Sequence, residues 1–293
     1  MGKDGSIIRW NNPVFLGGNG LKSVGDDPRF DGLGRILSPV HVNPTDPKQG
    51  EREYYARKGA AGVEHALGKP FSDERCKFNL SNLAALFHLL PSRPLRVLHF
   101  GCGVGWLSHI LAQQQHSVLG VDIAPEAIAA ATRRRDEARL TNLEYQVSDY
   151  ESFDGTASFD MVLFFDALHH AEAPIKAMHC AYRALKPDGF LIAFEPGSGH
   201  HDAPTSREAI KQFGVHERDM PAALIFALGK EAGFRRSLAL PHPADVLAEL
   251  YHPAYHLATD QTDLDIKKVD HTKQLTRRVT RQDAQSEIAL LWK

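Results

Sequence analysis

Leu95-Arg-Val-Leu-His-Phe100-Gly-Cys-Gly-Val-Gly105 is the stretch on which the reading of this chain turns. A short apolar run ends in three glycines at alternate positions, and the helix-forming segment GWLSHILAQQQ follows at once. Strand, glycine turn and helix in that order open an α/β sheet. Glycine lets the backbone turn tightly and lets a ligand come close. The free N–H groups where a helix begins suit a carboxylate or a phosphate. In open α/β sheets, ligands bind beyond the carboxyl ends of the strands.

The same alternation continues downstream. SVLGVDI, LEYQVSD, FDMVLFFDAL, FLIAFEP and FRRSLAL read as strands, and the final SEIALLWK reads as a strand that returns to the sheet. Between them lie the helical runs PEAIAAATRRRDEARL (opened by Pro125), APIKAMHCAYRAL and DMPAALIFALGKEAG. Near-continuous apolar strands separated by helices predict a mostly parallel sheet covered on both faces. The expected fold is therefore α/β: a Rossmann-like, doubly wound, seven-stranded sheet with N-terminal and C-terminal additions.

Outward from that core, residues 1–50 hold nine glycines and five prolines, the composition of irregular chain. Trp10, Phe15 and Phe30 are expected to anchor this segment on a folded body. Residues 51–94 read as a helical cap. EREYYARKGAAGVEHAL is a helix with interruptions at Gly59 and Gly62. KFNLSNLAALFHLL is an amphipathic helix whose face carries Leu80, Leu83, Leu86, Phe87 and Leu90. The core spans 95–240. Residues 241–293 form an extension that ends in a polar, locally basic tail and the last strand; its Lys267, Lys268, Lys273, Arg277, Arg278 and Arg281 read as a solvated face.

Three features bear on the ligand. A dinucleotide fingerprint needs a third glycine where this chain has Trp106, which speaks against a pyrophosphate site. Asp122 ends the second strand and can accept two hydrogen bonds from ribose hydroxyls. Ser148-Asp149-Tyr150 ends the third strand, where a carboxylate can accept an adenine amino group and Tyr150 can cover the ring.

Together, Val97–Gly105, VLGVDIAPEAI, VSDYESF, FDMVLFFDALHHA and LKPDGFLIAFEP resemble the class I S-adenosylmethionine (SAM)-dependent methyltransferase family, most closely its small-molecule branch, type 11. The resemblance covers about residues 95–240 and keeps five segments in order. It implies SAM as cofactor, held by Tyr54, His99, Gly101, Cys102, Gly103, Trp106, Asp122, Ile123, Ser148, Asp149, Tyr150, Phe165 and Asp166. Tyr54 and its neighbour Tyr55 precede the core, where a phenol could bond the SAM carboxylate. The chain departs from the family pattern twice. His99 stands where an acid usually orients the SAM amino group, and Ala124 stands where a Ser usually caps the following helix.

Methyl transfer from a sulfonium is an in-line displacement that depends on alignment. For a hydroxyl acceptor, a general base adds about 10²–10⁴-fold. His169 and His170 follow the fourth strand and are the candidate bases, with His169 preferred. Asp166 is expected to contact cofactor or substrate, and Glu195 is a weaker catalytic candidate. Glu195, His200, His201 and Asp202 are metal-capable types but read as a polar, substrate-side loop, and no metal is expected. The expected activity is O-methylation of a small-molecule or glycan-like acceptor. The alternative is a SAM-binding scaffold without turnover, suggested by His99.

Composition bounds the remainder. The 293 residues carry a formal net charge of −2, which gives no drive toward nucleic acid or an anionic membrane. Asp166-Ala-Leu-His lacks the Asn/Asp-Pro-Pro-aromatic motif of nucleic-acid base methyltransferases. Three cysteines without paired spacing suggest neither a disulfide framework nor a C-x-x-C zinc site. MGKDGSIIRW has no leader-like apolar run, and no segment is long enough to span a bilayer, so a cytoplasmic setting is expected.

Overall fold

The computed structural model describes residues 46–280 and 287–293. The anchors Trp10, Phe15 and Phe30, the rest of 1–45, and Arg281 lie outside the described residues. The chain then enters α1 (Gln49–Leu67) and α2 (Cys76–Leu89). Gly59 interrupts α1 with φ 66° and ψ −174°, whereas the helix runs on through Gly62. One glycine costs a helix about 1 kcal/mol, and Ala60 and Ala61 beside it favour the helix. In α2 the expected apolar face holds except at its start: Leu86 is in the core, with Leu83, Phe87 and Leu90 packed against it. Leu80 is exposed, and the buried residues are Asn79, Asn82 and Leu86.

From Arg96 the alternation unfolds as β1 (Arg96–Phe100), α3 (Trp106–Gln113), β2 (Ser117–Asp122), α4 (Pro125–Glu137), β3 (Leu143–Val147) and β4 (Phe159–Phe165). Then come α5 (Pro174–Ala184), β5 (Leu185–Phe194), α6 (Pro204–Phe213), α7 (Ala222–Ala232) and β6 (Arg236–Pro241). The chain closes with α8 (Pro243–Leu250), α9 (Gln261–Val279) and β7 (Glu287–Trp292). The seven-stranded sheet has the order β3-β2-β1-β4-β5-β7-β6. The first five strands are parallel, and β7 lies antiparallel between β5 and β6.

Side-chain alternation explains why this sheet is covered twice. Leu98, Phe100, Val162, Phe164 and Leu191 face one core with Met178 of α5 and Ile225 of α7. Val97, Met161, Leu163, Phe165 and Ile192 face the other, with Leu86 of α2 and Leu107 and Leu111 of α3. Each fully buried side chain of this size contributes roughly 1.5–3 kcal/mol. The central strands β1 and β4 carry residues of both cores. α1 joins through a smaller cluster in which Ala66 meets Val104, Ala124 and Ala127.

Two expectations change here. The polar tail after 241 is largely helical, because α9 sets Leu264, His271 and Leu275 on one half-buried stripe among charged residues. Its Lys267 pairs with Asp263 one turn earlier. The loop at 196–218 contains α6, a helix the sequence did not announce. Among the described residues, no helix is long and apolar enough to cross a membrane.

Candidate active site

A cavity of about 550 Å³ opens at the carboxyl ends of β1, β2, β4 and β5. The glycine turn forms its floor. Gly101 and Gly103 adopt φ of 65° and 53°, the left-handed region. A Cβ on Gly101 would stand 2.5 Å from Ala167 Cβ, and one on Gly103 2.6 Å from the Tyr55 hydroxyl. The turn therefore brings bare backbone to the cavity. Asp122 braces it: Oδ2 accepts the Gly103 N–H at 2.7 Å and Oδ1 the Ala124 N–H at 2.9 Å. Burial raises the Asp122 carboxyl pKa, against the pull of these N–H groups. The second bond also offsets the missing side-chain cap at Ala124.

Gly101, Gly103, Asp122, Ile123, Tyr54, Tyr55, Tyr150 and Asp166 line this cavity, as do His169 and His170. Tyr150 donates its hydroxyl to the Ala167 carbonyl at 3.0 Å and meets Phe164 edge-on. Tyr54 packs edge-on against Tyr55 and Phe213. Asp166 holds a left-handed φ of 50° and donates its N–H to Phe194 O at 2.8 Å.

Six residues expected at the cofactor are not on the cavity wall. Trp106 and Phe165 pack edge-to-face at 5.7 Å inside the second core, because Phe165 leaves the sheet on that side and Trp106, the first residue of α3, turns onto it. His99 is buried, with Nδ1 2.7 Å from Ser108 Oγ and Nε2 unpartnered. Burial pushes its ring pKa down to about 3, so it is neutral. The Cys102 side chain is buried, and burial raises its thiol pKa. The Ser148 N–H extends the ladder to Asp122 O. Asp149 is held by Lys48 at 2.6 Å and by the Glu151 N–H at 2.9 Å. Lys48 also meets Glu151 at 2.6 Å. Burial opposes the charge on Lys48, and the two carboxylates overcome it and raise its pKa.

The opposite wall is built around Glu195, at the end of β5. Oε1 accepts the N–H groups of Ala167 (3.0 Å) and Leu168 (2.8 Å). Oε2 accepts the His169 N–H (3.2 Å) and lies 2.7 Å from His169 Nδ1. One carboxylate thus shapes the 3₁₀ turn Leu168–His170 and orients its central imidazole. The shared bond requires the proton on Nδ1, which leaves Nε2 as the free nitrogen, 3.6 Å from Glu217 Oε2. Burial opposes the His169 charge, but Glu195 outweighs it and raises the imidazole pKa. Burial likewise opposes the Glu195 charge, and His169 with the backbone N–H groups lowers that carboxyl pKa.

His170 differs. Its Nδ1 donates to the His216 carbonyl at 2.5 Å, and burial with the charge of His169 pushes its pKa down to about 4. His200 Nε2 lies 2.6 Å from Glu217 Oε2. His169, His170 and Glu217 each bring a donor atom within 4.8 Å of the others. His201 and Asp202 do not join them: His201 bonds the Glu217 carbonyl, and Asp202 pairs with Arg207 at the surface.

Sequence reasoning missed Glu217, Glu51, Arg75, Asn82 and His242, all on the cavity wall. Glu217 and Glu51 sit in stretches with no motif. Glu51 reaches the wall by accepting the His216 N–H at 2.6 Å and facing its Nδ1 at 2.8 Å.

The sequence pattern of the methyltransferase domain family matches residues 98–193. A ubiquinone biosynthesis O-methyltransferase of Paracidovorax citrulli is 30% identical over 106 residues, 36% of this chain and 44% of that protein. One from Cereibacter sphaeroides is 33% identical over 104 residues, 35% and 42% of the two chains. This chain thus spans less than half the length of these curated relatives. Phosphoethanolamine N-methyltransferase 2 of Haemonchus contortus, solved with SAM, shares the fold. The TM-score is 0.58 at 20% identity, over 87% of this chain and 60% of that one.

Proposed function

We propose, from the premise that this chain belongs to the class I SAM-dependent methyltransferase family, that it methylates an oxygen of a small-molecule or glycan-like acceptor, with His169 as general base. One observation carries this reading. The glycine turn, Asp122 and the His169–Glu195 pair open onto one cavity of a size that suits a small ligand. The match to O-methyltransferases over about a third of the chain supports oxygen as the target.

The residues fit the cofactor. Gly101 and Gly103 offer backbone where a side chain would clash. Each Asp122 oxygen uses one acceptor site on a backbone N–H and keeps another for a ribose hydroxyl. Tyr150 and Ile123 add apolar surface for a purine, and Tyr54 and Asp166 complete that side. When bound, SAM supplies a methyl group already activated on sulfonium.

The chain's own groups then have two tasks. The cavity holds the acceptor hydroxyl in line, the larger share of the rate gain. Glu195 keeps the His169 proton on Nδ1, so Nε2 can take the hydroxyl proton, and the imidazolium that forms is stabilised by Glu195 and Glu217. His170, held neutral and bonded to the His216 carbonyl, supports the wall. Calorimetry with SAM and S-adenosylhomocysteine tests the cofactor reading, and no binding of either at millimolar concentration sinks it. Mass spectrometry for products 14 Da heavier, in a host lysate given SAM, identifies the acceptor.

A further inference from the structure

Three residues at the start of α2 and α8 line the cavity and have no part in proton transfer. The Arg75 guanidinium lies over the Phe78 ring at 4.3 Å. His242 stacks on the same ring, with centroids 4.7 Å apart and planes 17° from parallel. Among the described residues, Arg75 forms one ion pair, a long one: Asp166 Oδ2 is 3.9 Å away, and both side chains are partly exposed. Lys69, also on this wall, is bound to Asp73 at 3.2 Å. The first turn of α2 holds no acidic residue, so the positive end of its dipole adds to Arg75.

Among the described residues, three buried side-chain polar atoms on the wall have no hydrogen-bond partner: Glu51 Oε2, whose Oε1 holds His216, and one atom each of His242 and Asn82. His242 is 4% exposed and its Nδ1 makes no hydrogen bond; Asn82 is 2% exposed and its Oδ1 makes none. Buried polar groups are ordinarily satisfied, so orphans at a cavity wall point to a ligand that completes them.

We propose that Arg75, Phe78 and His242 form a subsite for a singly charged, planar carboxylate. A guanidinium fork matches a carboxylate with two parallel hydrogen bonds. A planar anion extends the stack already built on Phe78. One cation balances one negative charge, whereas a dianion would leave excess charge beside Asp166. The carboxylate has two sources: the amino-acid end of the cofactor, or an acceptor that bears one. The first source rests on the methyltransferase reading; the second does not.

Calorimetry on the full chain, wild type and Arg75→Gln, separates these. The probes are S-adenosylhomocysteine, 5′-methylthioadenosine (the same nucleoside without the amino-acid end) and benzoate. Loss of a charged hydrogen bond is expected to weaken binding about 10- to 100-fold. If the cofactor is the source, only S-adenosylhomocysteine weakens. If the acceptor is the source, only benzoate weakens. His242→Phe keeps the stack and should weaken the same probe to a smaller degree. Equal affinities in wild type and variant, or equal loss for both nucleosides, overturn the subsite. Benzoate binding that depends on Arg75 while neither nucleoside binds wild type upholds it and overturns the cofactor reading; no probe binding at all overturns both. Arg75 has 55% of its side chain exposed, so the variant keeps the fold.

Discussion

His169 and His170 are neighbours in sequence with opposite surroundings. Glu195 raises the pKa of one, and burial lowers that of the other to about 4. His169→Ala should therefore lower kcat by about 10²–10⁴, the range of a lost general base, while His170→Ala acts mainly on stability. A base works only when neutral, so the raised His169 pKa places the acid limb of kcat/KM above the ordinary value of about 6.5. In Glu195→Gln the raising carboxylate is gone, and the limb should move to lower pH. An unmoved limb would remove Glu195 from the base. Because His169, His170 and Glu217 lie close together, a chelator gives a separate check. The base reading expects an unchanged rate in EDTA; loss in EDTA with recovery on added zinc would make these residues ligands instead. The two histidines were legible in the sequence. Which one is a base was not, because that depends on Glu195 and on the His216 carbonyl.

At the scale of the element, the glycine turn works through close approach. Gly103→Ala forces a left-handed φ on a residue with a side chain and drives Cβ into the Tyr55 hydroxyl. The cost should be about 1–3 kcal/mol, seen as a lower Tm, with weaker cofactor binding. Adding Tyr55→Phe removes the clashing oxygen and should recover part of the loss; no recovery would show that strain in φ dominates. The turn itself was legible, since glycines at alternate positions after an apolar strand have few other uses. The path of its neighbours was not. Trp106 reads as part of the ligand loop, but as the first residue of α3 it turns into the core against Phe165. Asn79 and Asn82 of α2 are buried, and Asn82 lies on the cavity wall, which no periodicity of apolar residues announces.

At the scale of the molecule, Lys48 ties the chain just before α1 to Asp149 and Glu151, 101 residues on from Lys48 in the first case. Glu151 in turn accepts the N–H groups of Glu172 and Ala173, ahead of α5. Lys48→Met leaves two carboxylates without their cation and should cost about 2–3 kcal/mol in urea unfolding, less than a fully buried pair would. A change under about 0.5 kcal/mol, the level of an ordinary surface substitution, would reduce the tie to a surface contact. The sequence by itself determined the order of the seven strands and of the helices between β1 and β5, the two-sided sheet, the glycine turn and Asp122. These rest on periodicity and on local backbone freedom, which are written in consecutive residues. Only the tertiary structure decided that Asp149 serves Lys48, that His99 is sealed in the core, and that Glu217, Arg75 and His242 meet the histidines at one cavity. Those contacts join segments far apart in the chain, and their geometry exists only once the sheet has brought its carboxyl ends together.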